Sequence, residues 1–77
     1  MNWRDRITTD PAVCHGRPCI KGTRVMVSVV LDNLAARESY EDISRGYQIQ
    51  EEDIQAVLLY ASDLARDRLL ALPVDAA

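Results

Sequence analysis

Aromatic residues make up only 5% of the chain, and there are one histidine, two cysteines, three glycines and three prolines. Each scarcity excludes something. Cys14, His15 and Cys19 are all the sulfur and imidazole donors present. Structural zinc takes four ligands, usually from two paired knuckles, and no second knuckle follows. The two cysteines are therefore read as buried, reduced thiols. No apolar run approaches the roughly 20 residues that a membrane span needs. The first residues, MNWRDRITTD, are polar and charged, unlike a signal peptide, so a cytoplasmic protein with no membrane attachment is expected. Internal repeats and low-complexity segments are absent.

Catalytic machinery is equally thin. His15 has no serine nucleophile in a recognisable setting, and Cys14 beside it makes a dipeptide rather than a triad. Glu51 and Glu52 sit where a helix start explains acids. The stretch from Gly16 to Arg24 brings Arg17, Lys21, Thr23 and Arg24 together. It is not a P-loop, because the glycines are one residue too far apart and Lys21 precedes the second one. The sequence thus points away from an enzyme and toward no cofactor and no metal. With 77 residues there is no room for a doubly wound cofactor fold, and a single domain over 1–77 is expected. One core of this size supplies only roughly 3–5 kcal/mol, which directs attention to a second subunit or partner.

What is present is a folding composition: 48% hydrophobic residues and a net charge of only −3. The charge is segregated. Residues 1–24 carry Arg4, Arg6, Arg17, Lys21 and Arg24 against Asp5 and Asp10, a net +3; residues 25–77 carry four arginines against ten acids, a net −6. Such a head can face an anion, or the acidic body of another chain, although solvated surface charge accounts for it equally well.

Residues 1–27 read as a strand pair joined by a Gly/Pro loop. Trp3 to Thr8 alternates like a strand, and Asp10-Pro11 marks a turn. Cys14 to Arg24 is loop, with Gly16 and Gly22 free to take positive φ and Arg24 placed to clamp loop carbonyls or a carboxylate. Thr23 to Val27 is a second strand. Three helices are expected over 28–72. The first runs from Ser28, as cap, to Ala36, carrying Val30, Leu31 and Leu34. The second starts at Ser39 and ends at Gly46. The third begins at Glu51-Glu52-Asp53, buries a stripe of Ile54, Val57, Leu58, Ala61, Leu64 and Ala65, and stops at Pro73, leaving 73–77 as a tail. Leu59, Tyr60, Leu69 and Leu72 widen its apolar face toward a dimer or partner surface. The fold class is mostly α with a short N-terminal β-strand pair, in a helix-turn-helix order.

The segment DPAVCHGRPCIKGTRV resembles the hallmark of the bacterial domain of unknown function 433 family. The matching residues are Asp10, Pro11, Gly16, Pro18, Ile20, Gly22, Thr23, Arg24 and Val25, and the family's later signals match Glu41-Asp42-Ile43 and the stretch from Glu52 to Tyr60. The resemblance implies a three-helix homeodomain-like fold, usually dimeric. It also implies the antitoxin of a type II toxin–antitoxin pair, a homodimer that binds a PIN-like ribonuclease toxin and, with it, operator DNA. Two departures stand out. Tyr47-Gln48-Ile49-Gln50 replaces a Tyr-Pro pair and a Ser or Thr cap, and Cys14 and Cys19 stand where relatives have small or aliphatic residues. The alternative is a stand-alone DNA-binding regulator. A helix-turn-helix domain enters the major groove by the start of its last helix. Here that start is acidic, so any DNA contact is assigned to Arg4, Arg6, Arg17, Lys21 and Arg24 instead.

Overall fold

The computed structural model describes residues 1–67, and Leu69, Leu72 and the helix stop at Pro73 lie outside the described residues. The protein is mostly helical: a short two-stranded antiparallel pair precedes three helices. Strand β1 is Ile7–Thr8 and β2 is Cys19–Ile20; helix α1 is Val27–Ala35, α2 is Tyr40–Tyr47 and α3 is Glu51–Asp67. Ile7, Ile20, Val27, Val30, Ile43, Ile49, Ile54, Ala56 and Val57 form one core, to which both strands and all three helices contribute. Nearly all are β-branched aliphatics, each worth about 1.5–3 kcal/mol when taken out of water.

The expected first strand is shorter than the alternation suggests. Trp3–Asp5 is a 3-10 turn, capped by the Asn2 side chain, which accepts from Arg4 N–H at 3.0 Å. Only Ile7 and Thr8 pair, in the register Ile7↔Ile20 and Thr8↔Cys19. The second strand is Cys19–Ile20, not Thr23–Val27. Lys21 and Gly22 turn the chain, with Gly22 at φ 79°. Thr23–Met26 is the return limb, held by Ile20 N–H to Val25 O (2.9 Å) and by an isolated Cys19↔Met26 bridge. Ile7 and Ile20 are buried and β1 rests on α3, so the strand pair is supported within the chain.

Helix α1 begins at Val27, and Ser28 does not cap it; instead Val27 N–H donates to Pro18 O at 3.0 Å, which fastens the loop to the helix start. Ser39 caps α2 as expected, accepting from Asp42 N–H at 3.0 Å. Gly46 lies inside α2 rather than past its end. The chain turns at Gln48 (φ 55°), and both Gln48 and Ile49 N–H groups donate to Ser44 O, because Ile49 must drop into the core. Along α3, Ile54 and Val57 are buried and Leu58, Ala61 and Leu64 half-buried, but Ala65 is exposed and Ala56 is fully buried. The stripe fades because the second half of α3 runs beyond the core, where the N-terminal turn lies against it.

That turn is fastened by its tryptophan. Trp3 Nε1 donates to Asp63 Oδ2 at 2.5 Å, and its ring meets Tyr60 edge to face, with centroids 4.9 Å apart. Arg4 lies 4.4 Å over the Trp3 ring. The Trp3 hydrogen bond, then that from Arg66, hold the Asp63 carboxyl below the ordinary carboxylate range. A depressed folded-state value stabilises the protein above the unfolded value of about 3.9, and the contribution is lost as pH falls through the lower folded value. The fluorescence of Trp3, the only tryptophan, should therefore report release of the turn in acid. Asp63→Asn should flatten the acid limb of the melting-temperature profile and leave Trp3 emission unresponsive there.

Ser44 Oγ is buried without a hydrogen-bond partner. Removing an unsatisfied hydroxyl from a helix interior relieves desolvation and improves helix propensity. Ser44→Ala should raise stability by about 0.5–1.5 kcal/mol, read as a melting temperature several degrees higher.

Candidate functional site: the glycine and proline loop

The loop between β1 and α1 is built from short-range turns. Asp10 Oδ1 accepts from Ala12 N–H (2.9 Å) and Asp10 O from Val13 N–H (2.9 Å), so one residue closes the turn that Pro11 begins. Cys14, His15 and Gly16 follow in the left-handed region, at φ 52°, 55° and 76°. Glycine takes this conformation freely, whereas an L-residue gives up roughly 1–2 kcal/mol. Two consecutive non-glycine residues held there mark a segment constrained from outside. One constraint is visible: the Cys14 thiol donates to Arg24 O at 3.3 Å.

The clamp expected of Arg24 belongs to its neighbour. Thr23 Oγ1 donates to Ile20 O at 2.7 Å and accepts from Val25 N–H at 3.0 Å, closing the β2 turn. The Arg24 side chain is exposed and its guanidinium has no hydrogen bond or ion pair among the described residues. A side chain that supports nothing internally is free to meet something else.

The five candidate cations divide into two groups. Arg6 Nη1 pairs with Asp53 Oδ1 at 2.8 Å and donates to Gln50 Oε1 at 3.2 Å. Asp53 Oδ2 accepts from Gln50 N–H at 2.9 Å, so the residue that grips Arg6 also caps α3. This is the back-reaching half of a capping box, and it replaces the Ser or Thr cap that the sequence lacks. Arg4 is spent on Trp3. Arg17, Lys21 and Arg24 are exposed and unpaired among the described residues. Lys21 is nevertheless held in place, because its N–H donates to Arg6 O at 2.8 Å.

Lys21 lines a groove beside Asp5, Arg6 and Asp53, and the three cations border two more. Lys21 and Arg24 line one with Thr8, Thr9, Asp10 and Cys19. Arg17 lines the other, an apolar groove of about 240 Å³ with Pro18, Val27, Leu31, Tyr60 and Leu64. Tyr60 serves both the Trp3 packing and this groove, while Leu59 is half-buried on α3. Of the three acids at the start of α3, Glu51 and Glu52 are exposed, and Asp53 is turned inward onto Arg6. Burial pushes the Cys19 thiol up, and Cys14 beside it adds to the effect. Among the described residues no three His, Cys, Asp or Glu side chains converge as for a metal ion, and no helix is long and apolar enough to cross a membrane.

Sequence reasoning named Arg17, Lys21 and Arg24 among five candidate cations, with Arg24 as a clamp, and missed the division among the five. The signal lay in Asp53: an acid three residues after the uncapped Gln50 is a capping-box position, and its second oxygen is left for a cation.

Neither a search of curated proteins nor one of solved structures returned a match. A scan against family models matched residues 7–61, a span that runs from β1 through the loop and the first two helices into α3. That span includes the whole turn-and-clamp loop and the Asp53 cap, and the chain belongs to the family described as protein of unknown function, DUF433.

Proposed function

We propose that the protein is a recognition module: the antitoxin of a toxin–antitoxin pair, acting as a homodimer that binds a PIN-like ribonuclease. The observation that carries this reading is the pairing of free charge with apolar surface on one loop. Arg17 borders an apolar groove, and Lys21 and Arg24 stand on the same loop with no internal partner among the described residues. An acidic nuclease site offers the carboxylates that such cations fit, and a protein partner also offers side chains for the groove. Duplex DNA offers phosphates but no comparable apolar filling.

The second reading, a stand-alone DNA-binding regulator, draws support from the order of α2, the connection Gln48-Ile49-Gln50 and α3, which is that of a helix-turn-helix. It meets an electrostatic obstacle. Glu51 and Glu52 would face phosphates at the end of α3 that enters a groove. Operator contact within a toxin complex would instead use the loop cations, while Arg6 stays on Asp53.

The experiment is co-expression with the adjacent gene product, followed by copurification, sedimentation and titration. Wild-type protein should copurify with a small acidic-site nuclease and sediment as a dimer. Joint replacement of Arg17, Lys21 and Arg24 by Ala should weaken the complex at least about tenfold, or 1.4 kcal/mol. Stability should move by only about 0.5 kcal/mol per site, as for surface positions. Affinity should also fall with salt, because exposed charges are screened. Tight, specific operator binding by the lone protein, lost on changing residues 51–55 and indifferent to the loop cations, would overturn the proposal in favour of the regulator.

A further inference from the structure

Two grooves lie side by side on the outer half of α3 and share a wall. The apolar one is lined by Arg17, Pro18, Val27 and Leu31, and by Tyr60 and Leu64. The other, of about 200 Å³, is lined by Trp3, Asp63 and Asp67, and again by Tyr60 and Leu64. Tyr60 and Leu64 are one turn apart on α3 and both half-buried, so their side chains stand as a ridge with a groove on either flank.

Charge divides along the same line. Arg17, on the side of the apolar groove, is exposed and unpaired among the described residues. On the far side of the ridge, Arg4 lies over Trp3 and Arg66 pairs with Asp63. That leaves Asp67 exposed and unpaired among the described residues. An interface on a two-fold axis must be complementary to itself, because each copy offers the other the same patch. This patch meets that condition. It has a ridge beside a groove, a cation on the groove side and an acid beyond the ridge. Half a turn lays the ridge of one copy into the apolar groove of the other and brings Arg17 toward the partner's Asp67. Rows of side chains four residues apart on two helices interdigitate in this way. A face shaped for a foreign protein has no reason to carry its own complement.

We propose that this face is the homodimer interface: the ridge of Tyr60 and Leu64 fills the apolar groove of a second copy, and two ion pairs between Arg17 and the partner's Asp67 close its rims. The proposal rests on the homodimer half of the proposed function and says where that dimer is built. The second copy supplies the side chains that enter the Arg17 groove. Lys21 and Arg24, which line a different groove, are the loop cations left for the nuclease.

Sedimentation equilibrium of the full chain at low salt tests this, with circular dichroism and thermal melts to follow the fold of each variant. The wild type should sediment at twice the 8.6 kDa chain mass. Arg17→Asp and Asp67→Arg should each raise the dimer dissociation constant about tenfold or more, since each sets two like-charge pairs across the interface. The double variant, with the charges exchanged, should return to within about threefold of the wild type. Both side chains are exposed, and Asp67→Arg places a cation at the end of α3 that the helix dipole favours, so weaker association in that variant is not a loss of folding. Leu64→Ala should weaken the dimer, whereas Leu59→Ala, outside both grooves, should not. A dimer indifferent to Leu64 and to the charge exchange would overturn this interface and leave the homodimer reading standing. A wild-type monomer would overturn both and leave the groove to residues 68–77 or to the nuclease, with copurification still deciding the antitoxin reading.

Discussion

The carboxylate of Asp53 is where the two halves of this small protein are joined. One oxygen closes the first turn of α3 by accepting from Gln50 N–H at 2.9 Å, and the other takes Arg6 at 2.8 Å. The side chain is only 13% exposed, so the pair is screened by water far less than the surface pairs of Arg45 with Glu41 and Asp42. Arg6 lies between the Trp3–Asp5 turn and β1, and its carbonyl accepts from Lys21 N–H. A single residue therefore connects the N-terminal turn, the end of β2 and the start of α3. Trp3 makes a second attachment further along the same helix, at Tyr60 and Asp63. The positions 53, 60 and 63 recur at helical spacing, so α3 offers one face to the N-terminal segment and another to the core.

This arrangement decides which cations are left without an internal partner among the described residues. A count of charges assigns a basic head to the first 24 residues, but two of its five cations are used internally. The three that remain all sit on the loop that contains the glycines and prolines. The loop is tied down by local bonds: Asp10 closes one turn, Thr23 another, and Pro18 O holds the first N–H of α1. On the proposed reading of the protein as a recognition module, a loop tied down in this way would have little ordering entropy left to lose on binding.

Much of this was legible in the sequence, and what was missed has identifiable causes. Ser39 as a cap, the acidic start of α3, the core positions Ile54 and Val57, and positive φ at Gly16 and Gly22 all follow from local chemistry, and local chemistry decided them. The errors fall where a distant contact overrules a local pattern. Alternation from Trp3 to Thr8 reads as strand, but Trp3 reaches Asp63, and a 3-10 turn aims it there. Gly46 reads as a helix end, but the burial of Ile49 carries α2 on to a left-handed Gln48. Arg24 reads as a clamp because it follows a turn, while the shorter Thr23 is better placed to bond both strands of that turn. The candidate site was named by its residues but not by its geometry. That Arg6 is not free depended on Asp53, nearly fifty residues away from it.

A double-mutant cycle on Arg6 and Asp53 tests the central point most directly. Asp53→Ala removes the α3 cap in both backgrounds, so the cycle cancels that loss and isolates the pair. Urea denaturation of the wild type, Arg6→Ala, Asp53→Ala and the double variant should give a coupling of roughly 0.5–3 kcal/mol, as expected for residues in direct contact. A coupling indistinguishable from zero would mean that Arg6 does not join the N-terminal segment to α3, and that the division of cations drawn from that contact is wrong.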